Sequence, residues 1–406
     1  MNKIEEIFKS WGISINPNEE QAKLASDRIQ ICNTCEHKKE GIIKTCGICG
    51  CSLRAKVFSP VFNSCPIGKW EDADTKIGLK RERTLRFLCA QPATTYYVWQ
   101  VEIMLNNFME MGVNPNHIDI VSWMPDGIVP EQWSKLAENY SARFFFYKDT
   151  RETKHYISSI RPNILKQHFK NHPYLKNESI FYHDCDILFT HSISKWITNE
   201  MITDDNWYGS DTRWYIAHSY IKSKGEDVLN KMCEIVGIDI KVVEDNELNS
   251  IGAQYLMKDV DEYYWDRVEI DSERLYKEIT ELNNEKVMLD KSHTMSPDAE
   301  KRQPYHPLQI WCADMWAVLW NAWKLDKKTI CSPNMQFSWA TSGIDEYHKF
   351  NIFHNAGVTS NDKDLFSKSK YVNKLPFGEE LVISEKRASS EYVKWIKKIE
   401  KKSVLL

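Results

Sequence analysis

Between residues 85 and 182, two kinds of hydrophobic pattern alternate along the chain. Short apolar runs are typical of buried strands, and longer stretches with apolar residues at helical spacing are typical of amphipathic helices. Gly112 provides a natural end for the first helix, and Pro130 can open the second. The predicted strands are 85–90, 118–123, 142–147 and 179–182, and the predicted helices between them are 96–111, 130–141 and 157–170.

This alternation predicts an α/β fold with a mostly parallel central sheet flanked by helices. Ligands of such sheets bind beyond the carboxyl ends of the strands. Residues 191–300 are less regular and contain an acidic helical segment at 272–285. A Trp-rich helix is predicted at 308–324, and a charged helix at 388–402.

The N-terminal part has a different character from the sheet region. We predict a helical segment over 1–31, a cysteine-rich module over 32–70 and a polar linker over 71–84. The remaining chain divides into a main domain, 85–375, and a C-terminal helical tail, 376–406.

Composition narrows the functional classes. Hydrophobic residues make up 42% of the 406 residues, which argues against wholesale disorder. The net charge of −4 is not that of a nucleic-acid-binding protein, although the stretch from Lys38 to Arg86 is locally basic. The 15 Trp suit either a carbohydrate-handling protein or an aromatic core. Because Met1 to Gly12 is charged and no long apolar run follows, neither a signal peptide nor a transmembrane helix is expected, and a cytoplasmic location is predicted.

Six of the eleven cysteines crowd into residues 32–65. Two Cys-x2-Cys pairs can hold one tetrahedral Zn²⁺, which would neutralise the thiolates and stabilise a segment too small for its own core. Gly47 and Gly50 suit the turns of such a knuckle. Six thiols exceed four ligands, so the set stays open; the candidates are Cys32, Cys35, Cys46, Cys49, Cys51 and Cys65.

Two segments resemble cysteine-rich knuckles of phage and bacterial proteins. They are Cys65-Pro66-Ile67-Gly68-Lys69-Trp70 and Cys49-Gly50-Cys51. That resemblance implies a structural or docking role. The neighbouring lysines and arginines keep nucleic-acid binding as a second interpretation.

The strongest candidate for chemistry is Asp184-Cys185-Asp186, which directly follows the predicted strand 179–182. Carboxylates at i and i+2 share one side of an extended chain, and a bend there can aim both at one cation. A second such pair, Asp259-Val260-Asp261, lacks this position after the fourth strand of an α/β series.

Residues 85–360 resemble a GT-A glycosyltransferase, in which an Asp-x-Asp pair binds Mn²⁺ or Mg²⁺ against the diphosphate of a nucleotide sugar. The resemblance implies that Asp184 and Asp186 bind the metal, that His354 of Phe353-His354-Asn355-Ala356-Gly357 completes its coordination, and that Arg161 faces the donor. The Tyr-x-Arg motif that is usual in this family is absent around Arg161.

Further segments fit the same family. Gly252-Ala253-Gln254 resembles the stretch that lines the sugar pocket, and Asp314, between Trp311 and Trp316, is a candidate base for the acceptor hydroxyl. Ser210, Asp211 and Trp339 are further candidates for the sugar site.

The Lys-Pro that usually follows the late His-x-x-Gly of the retaining enzymes is missing, so an inverting displacement with Asp314 as base is favoured. The resulting prediction is a hexosyl- or pentosyltransferase that uses a nucleotide-sugar donor and a divalent metal. The acceptor is open, either a glycan or modified DNA. The alternative is a zinc-knuckle adaptor for nucleic acid or protein, with an inactive transferase-like domain.

Overall fold

The computed structural model describes residues 3–77, 79, 83–294, 305–359 and 361–406. The chain divides into two compact units, Met1–Arg83 and Thr84–Leu406. No helix within the described residues is both long and apolar enough to cross a membrane.

The first unit is built from short helices around the cysteine-rich segment. Its elements are α1 (Lys3–Ile15), α2 (Glu19–Asn33), β1 (Lys38–Lys39), β2 (Thr45–Cys46), α3 (Leu53–Lys56) and α4 (Glu71–Lys76). Asn18 caps α2 through a capping box with Gln21, which satisfies two backbone donors at the helix start.

The stretch expected to be a linker, 71–84, differs from that expectation in its first half. Residues 71–76 form α4, and Asp74 is fully buried in an ion pair with Arg28 of α2. A buried charge needs such a partner, so this segment belongs to the packed first unit. The structure draws the division between the units at Arg83 and Thr84.

The second unit contains a seven-stranded sheet and a three-stranded sheet. Its strands are β3 (Leu85–Pro92), β4 (Ile118–Trp123), β5 (Arg143–Tyr147), β6 (Ser179–His183), β7 (Ile187–Phe189), β8 (Trp207–Asp211), β9 (Ile251–Lys258), β10 (Thr329–Cys331), β11 (Phe337–Trp339) and β12 (Ile352–His354). Its helices are α5 (Thr95–Glu110), α6 (Glu131–Asn139), α7 (Ile160–Asn171), α8 (Asn199–Thr203), α9 (Arg213–Ile216), α10 (His218–Lys222), α11 (Glu226–Val236), α12 (Ile240–Asp245), α13 (Glu262–Thr294), α14 (Ala313–Lys324), α15 (Ile344–Lys349) and α16 (Ser389–Glu400).

The large sheet has the strand order β10-β8-β9-β6-β3-β4-β5. All neighbours are parallel except β9, which runs antiparallel to both β6 and β8. The small sheet has the order β11-β12-β7, in which β12 and β7 are antiparallel. The predicted α/β fold with a mostly parallel sheet and flanking helices is confirmed.

Apolar residues fill both faces of the large sheet. One core includes Trp99 of α5 together with Tyr392 and Ile396 of α16. The other includes Ile164 of α7, Trp265 of α13 and Trp320 of α14. Because α16 is packed in the first of these cores, the tail predicted at 376–406 is part of the second unit.

His168 of α7 gives the folded state a pH dependence. Its ring is fully buried, with Nδ1 3.0 Å from the Tyr147 hydroxyl and Nε2 3.5 Å from Asp119 Oδ2. Burial lowers the pKa of His168, and Asp119 only partly opposes this. The unfolded chain, with a pKa of about 6.5, therefore takes up this proton first as the pH falls.

We expect the free energy of unfolding to decrease below about pH 6.5, with a slope of at most about 1.4 kcal/mol per pH unit from this residue. His168→Gln should reduce that slope, measured by denaturant unfolding at a series of pH values. Burial also lowers the pKa values of His117, His172 and His183, so part of the slope should remain. An unchanged slope in the variant would contradict the assignment.

Candidate active site

Asp184 and Asp186 lie at the point where the chain passes from the large sheet to the small one. β6 ends at His183, and β7 begins at Ile187. The two carboxylates therefore lie beyond the carboxyl end of a parallel strand, where α/β sheets bind ligands. The side chain of Asp186 is almost fully buried, whereas that of Asp184 is about one third exposed.

His354 reaches this pair through strand pairing. β12 runs antiparallel to β7, and His354 is the register partner of Ile187. The Asn355 backbone N–H donates to the Asp186 carbonyl over 3.0 Å, which extends the pairing to the acidic pair. A residue distant in sequence is thus fixed beside Asp186 by backbone hydrogen bonds.

These three side chains form a compact group of ligand atoms. Nε2 of His354 is 3.2 Å from Asp186 Oδ1 and 3.5 Å from Asp184 Oδ2. One ligand atom from each residue lies within 4.8 Å of the others. Two carboxylates and an imidazole are a donor set that suits a divalent cation, so the residues fit a metal ion.

Two cations compensate the acidic group. Arg161 of α7 donates to Asp184 over 2.5 Å and also forms an ion pair with Asp314. Lys368 forms an ion pair with Asp186. Burial opposes ionisation of Asp186, but Lys368 and His354 outweigh it and hold the pKa of this carboxyl well below its usual range. Asp186 is therefore an anion ready to bind a cation.

Asp314 lies at the start of α14 and is mostly buried. Its Oδ1 accepts from the Tyr156 hydroxyl over 2.8 Å, and its Oδ2 pairs with Arg161. The Tyr156 hydroxyl is also 2.6 Å from the Trp311 carbonyl oxygen. Because a tyrosine carries one hydroxyl proton, it can turn to that carbonyl and leave Oδ1 of Asp314 free to accept from another group.

Two cavities meet at the charged group. The first, about 870 Å³, extends along α9, β11 and the start of α14. The second, about 540 Å³, lies at the carboxyl ends of β3 and β4 and is lined by residues such as Gln91, Tyr97 and Trp123. Arg161, Asp184 and Lys368 line both cavities.

The predicted sugar-site residues divide into three groups. Ala253 and Trp339 line the first cavity, and the Trp339 ring stacks on His354 at 5.8 Å. Ser210 and Gln254 are fully buried behind His354. Asp211 instead forms a two-pronged ion pair with its neighbour Arg213 and does not line either cavity.

Gly252 permits close packing, although it does not line the cavities. A Cβ at this position would lie 2.4 Å from Met315 Cε and 2.7 Å from Thr212 Oγ1. The left-handed backbone conformation belongs to the next residue, Ala253, whose φ is +61°. β9 contains a bulge here, because Gly209 pairs with Tyr255 whereas Ser210 pairs with Gly252.

Lys368 and Tyr156 are site residues that the sequence did not reveal. Neither belongs to a recognisable local motif. Lys368 belongs to a segment that follows His354-x-x-Gly357, and it forms an ion pair with Asp186. The only sequence signal for Tyr156 was its place just before the helix that carries Arg161.

The cysteine-rich segment has some features of a metal knuckle. Gly50 has φ +71°, and its N–H donates to the Cys46 carbonyl over 2.8 Å. Burial works against the Cys46 thiolate, but the backbone N–H groups of Cys49 and Ile48 outweigh it and lower the pKa of this thiol. The thiols that line a cavity of about 30 Å³ are those of Cys32, Cys35, Cys46 and Cys65.

All six candidate cysteines, four of which were predicted to bind zinc, are free thiols. Over the described residues, no three cysteine sulfurs come as close together as the ligand atoms of the Asp184 group. Zinc binding therefore stays a prediction.

No protein-family model matches the chain, and no curated protein matches it. Among solved structures, the galactosyltransferase LgtC in complex with donor and acceptor sugar analogs matches with a TM-score of 0.31 and 11% identity, covering 77% of this chain and 95% of that one.

An active-site mutant of LgtC matches with a TM-score of 0.32 and 11% identity, covering 70% of this chain and 93% of that one. The glycosyltransferase GlyE of Streptococcus pneumoniae TIGR4 matches with a TM-score of 0.24 and 12% identity, covering 64% of this chain and 70% of that one. Structural likeness at these TM-scores does not identify a function for this chain.

Proposed function

We propose that residues 84–406 form a GT-A-type glycosyltransferase that moves a sugar from a nucleotide-sugar donor to an acceptor hydroxyl. The observation that carries the proposal is the convergence of Asp184, Asp186 and His354 between two cavities at the carboxyl end of β6. A Mn²⁺ or Mg²⁺ ion held by these residues would offset the charge of the leaving diphosphate.

The two cavities suit the two halves of such a donor. The nucleotide would occupy the second cavity, where Tyr97 and Trp123 offer aromatic surface to a base. The diphosphate would lie at Asp184 and Asp186, with Arg161 and Lys368 as its cationic contacts. The sugar would enter the first cavity beside Ala253 and Trp339.

Asp314 remains the candidate base for the acceptor hydroxyl. If Tyr156 donates to the Trp311 carbonyl, Oδ1 of Asp314 can accept the proton of an acceptor hydroxyl in the first cavity. The Arg161 ion pair would orient the carboxylate during this step. A single inverting displacement follows from this assignment.

A donor screen tests the proposal. The folded full chain is incubated with Mn²⁺ and with UDP-, GDP-, TDP- and CMP-linked sugars, and the released nucleotide is measured with and without EDTA. Metal-dependent release from one donor supports the transferase. If no donor is bound or hydrolysed by folded protein, the inactive-domain adaptor becomes the better interpretation.

The outer part of the first cavity favours a neutral glycan acceptor over DNA. The charged lining residues lie at the metal group and the adjoining Asp314, whereas the rim carries the exposed indoles of Trp214 and Trp311. The Trp311 ring stacks on Tyr215, with ring centroids 6.1 Å apart. Indole faces bind the apolar face of a pyranose, while a phosphate backbone needs cationic contacts.

Trp214→Ala and Trp311→Ala are each expected to raise the KM for a glycan acceptor roughly tenfold, equivalent to about 1.4 kcal/mol. Donor hydrolysis without acceptor should stay near the wild-type rate, because the Trp214 ring packs on Trp339 and the Trp311 ring on Tyr215, neither of which is a proposed metal ligand. Trp11→Ala, which removes a partly exposed indole of the first unit, serves as the control. An unchanged acceptor KM in both rim variants would refute this acceptor site.

We further propose that the first unit binds one structural Zn²⁺. The purified chain is expected to contain about one zinc per molecule by elemental analysis, and its removal should unfold the first unit. Cys46→Ser and Cys32→Ser should lose the metal, because these thiols line the same small cavity. Cys233→Ser, in the second unit, is the control, and a metal-free but folded wild-type unit would contradict the proposal.

A further inference from the structure

Three buried side chains form a hydrogen-bonded chain behind the metal group. Ser210 Oγ lies 2.6 Å from Gln254 Oε1 and 2.7 Å from the Met335 carbonyl oxygen. Gln254 Nε2 lies 3.3 Å from Nδ1 of His354. Ser210 and Gln254 have no exposed surface, so water does not reach their polar atoms from outside.

In this orientation of the Gln254 amide, the hydrogen-bonded series lacks one proton at Ser210. The Ser210 hydroxyl carries a single proton but faces two oxygen acceptors at hydrogen-bonding distance. One oxygen pair would then be in close contact with no proton between them, which is costly in a buried site.

Turning the Gln254 amide by 180° gives every proton one acceptor. The amide oxygen and nitrogen have almost the same shape, so their assignment follows from the hydrogen-bond network. In the turned arrangement, Gln254 Nε2 donates to Ser210 Oγ, and the Ser210 hydroxyl donates to the Met335 carbonyl. Gln254 Oε1 then faces Nδ1 of His354 and requires a proton there.

We infer that Gln254 and Ser210 are positioning residues: Gln254, oriented by Ser210, accepts from Nδ1–H of His354 when the cation is bound, which leaves the lone pair of Nε2 for the cation. This inference rests on the proposed metal site and names the residues that prepare one of its ligands. On the other side of the ring, Nε2 faces Asp184 and Asp186, so a lone pair on Nε2 is favourable there when a cation lies between these groups. A histidine binds a metal through an unprotonated nitrogen, and its other nitrogen commonly donates to a fixed acceptor.

The backbone of β9 is shaped to deliver Gln254. The bulge opposite Gly209 and Ser210 leaves Ala253 and Gln254 outside the regular ladder. Ala253 takes a left-handed φ of +61°, which is unfavourable for a residue with a side chain. Bulges next to active sites redirect side chains, and this one directs Gln254 from the large sheet to His354 of the small sheet.

The tautomer can be measured without any activity in protein loaded with diamagnetic Mg²⁺. In Mg²⁺-loaded protein labelled with ¹⁵N-histidine, we expect a protonated, pyrrole-type Nδ1 and an unprotonated Nε2 for His354. His354→Asn identifies the signal by its loss. A proton on Nε2 in the wild-type protein would overturn the inference, whether or not the chain proves to be a transferase.

Mn²⁺ titrations provide the second readout. Gln254→Met, which removes the acceptor, should weaken Mn²⁺ binding about 10- to 100-fold and lose the tautomer preference. Gln254→Glu keeps an oxygen facing Nδ1 and should bind Mn²⁺ within a few-fold of wild type. Gln167→Met alters a half-buried glutamine that donates to the Lys148 carbonyl and lines neither cavity, so it is the matched control.

The outcomes distinguish a failure of the Gln254 positioning role from a failure of the proposed metal site. Wild-type affinity in a folded Gln254→Met variant would overturn the positioning role while leaving the metal site intact. Absence of Mn²⁺ binding in the wild-type protein would instead overturn the proposed metal site and, with it, the role of Gln254.

Discussion

Asp186→Asn is expected to abolish Mn²⁺ binding and to reduce metal-dependent release of the nucleotide at least about a thousandfold, because metal-ion catalysis supplies several kcal/mol of charge stabilisation. Asp186 is the more buried of the two carboxylates and contacts both His354 and Lys368. Its removal leaves the cation site with one anionic ligand and leaves Lys368 without its carboxylate partner.

The measurements are Mn²⁺ titration by calorimetry and nucleotide release with the donor found in the screen. Asp261→Asn is a matched control, since Asp261 belongs to the other Asp-x-Asp sequence but pairs with Lys176 near the start of α13. Wild-type metal affinity and activity in a folded Asp186→Asn variant would refute the metal role of Asp186.

Asp74→Ala is expected to destabilise the first unit by about 3–5 kcal/mol, the usual cost of breaking a buried ion pair from one side. Arg28 and Asp74 are both fully buried and share two hydrogen bonds of 2.7 and 2.8 Å. The remaining Arg28 donors bind carbonyl oxygens of Val57, Ser59 and Val61. Without Asp74, this guanidinium would stay buried without a counter-charge.

Hydrogen exchange followed by mass spectrometry measures this effect locally. Peptides within residues 3–77 should lose protection in the variant, while those of the large sheet should not, because the chain forms two compact units. Glu40→Ala removes an exposed partner of Lys38 and should change nothing measurable. Retained protection in Asp74→Ala would show that the pair does not hold the unit together.

The sequence predicted the elements whose signal is local. The strands and helices from β3 to β6 matched their predicted positions closely, because buried strands and amphipathic helices have short-range periodicity. The predicted bounds of helices later in the chain were less accurate. The acidic segment at 272–285 is only the middle of α13, and the regular helix of the segment 308–324 begins at Ala313.

In the candidate site, too, the features that could be predicted are those with a local sequence signal. The position of Asp184 and Asp186 beyond a strand could be predicted, since it depends on a run of residues that are adjacent in sequence. The proposed role of Ser210 and Gln254 could not be predicted, because it depends on the bulge in β9 that turns Gln254 toward His354 and on the contact of Ser210 with Gln254. Lys368 had no signal, because its ion pair with Asp186 joins segments that no local pattern connects.

The sequence by itself therefore determined the α/β alternation, the acidic pair at the end of β6 and the separate cysteine-rich segment, all of which are properties of neighbouring residues. Only the tertiary structure decided that β9 inserts antiparallel between β6 and β8, that β12 pairs with β7, and that Lys368 meets Asp186. The physical reason is that strand register and ion pairing between distant segments depend on the packing of the whole unit.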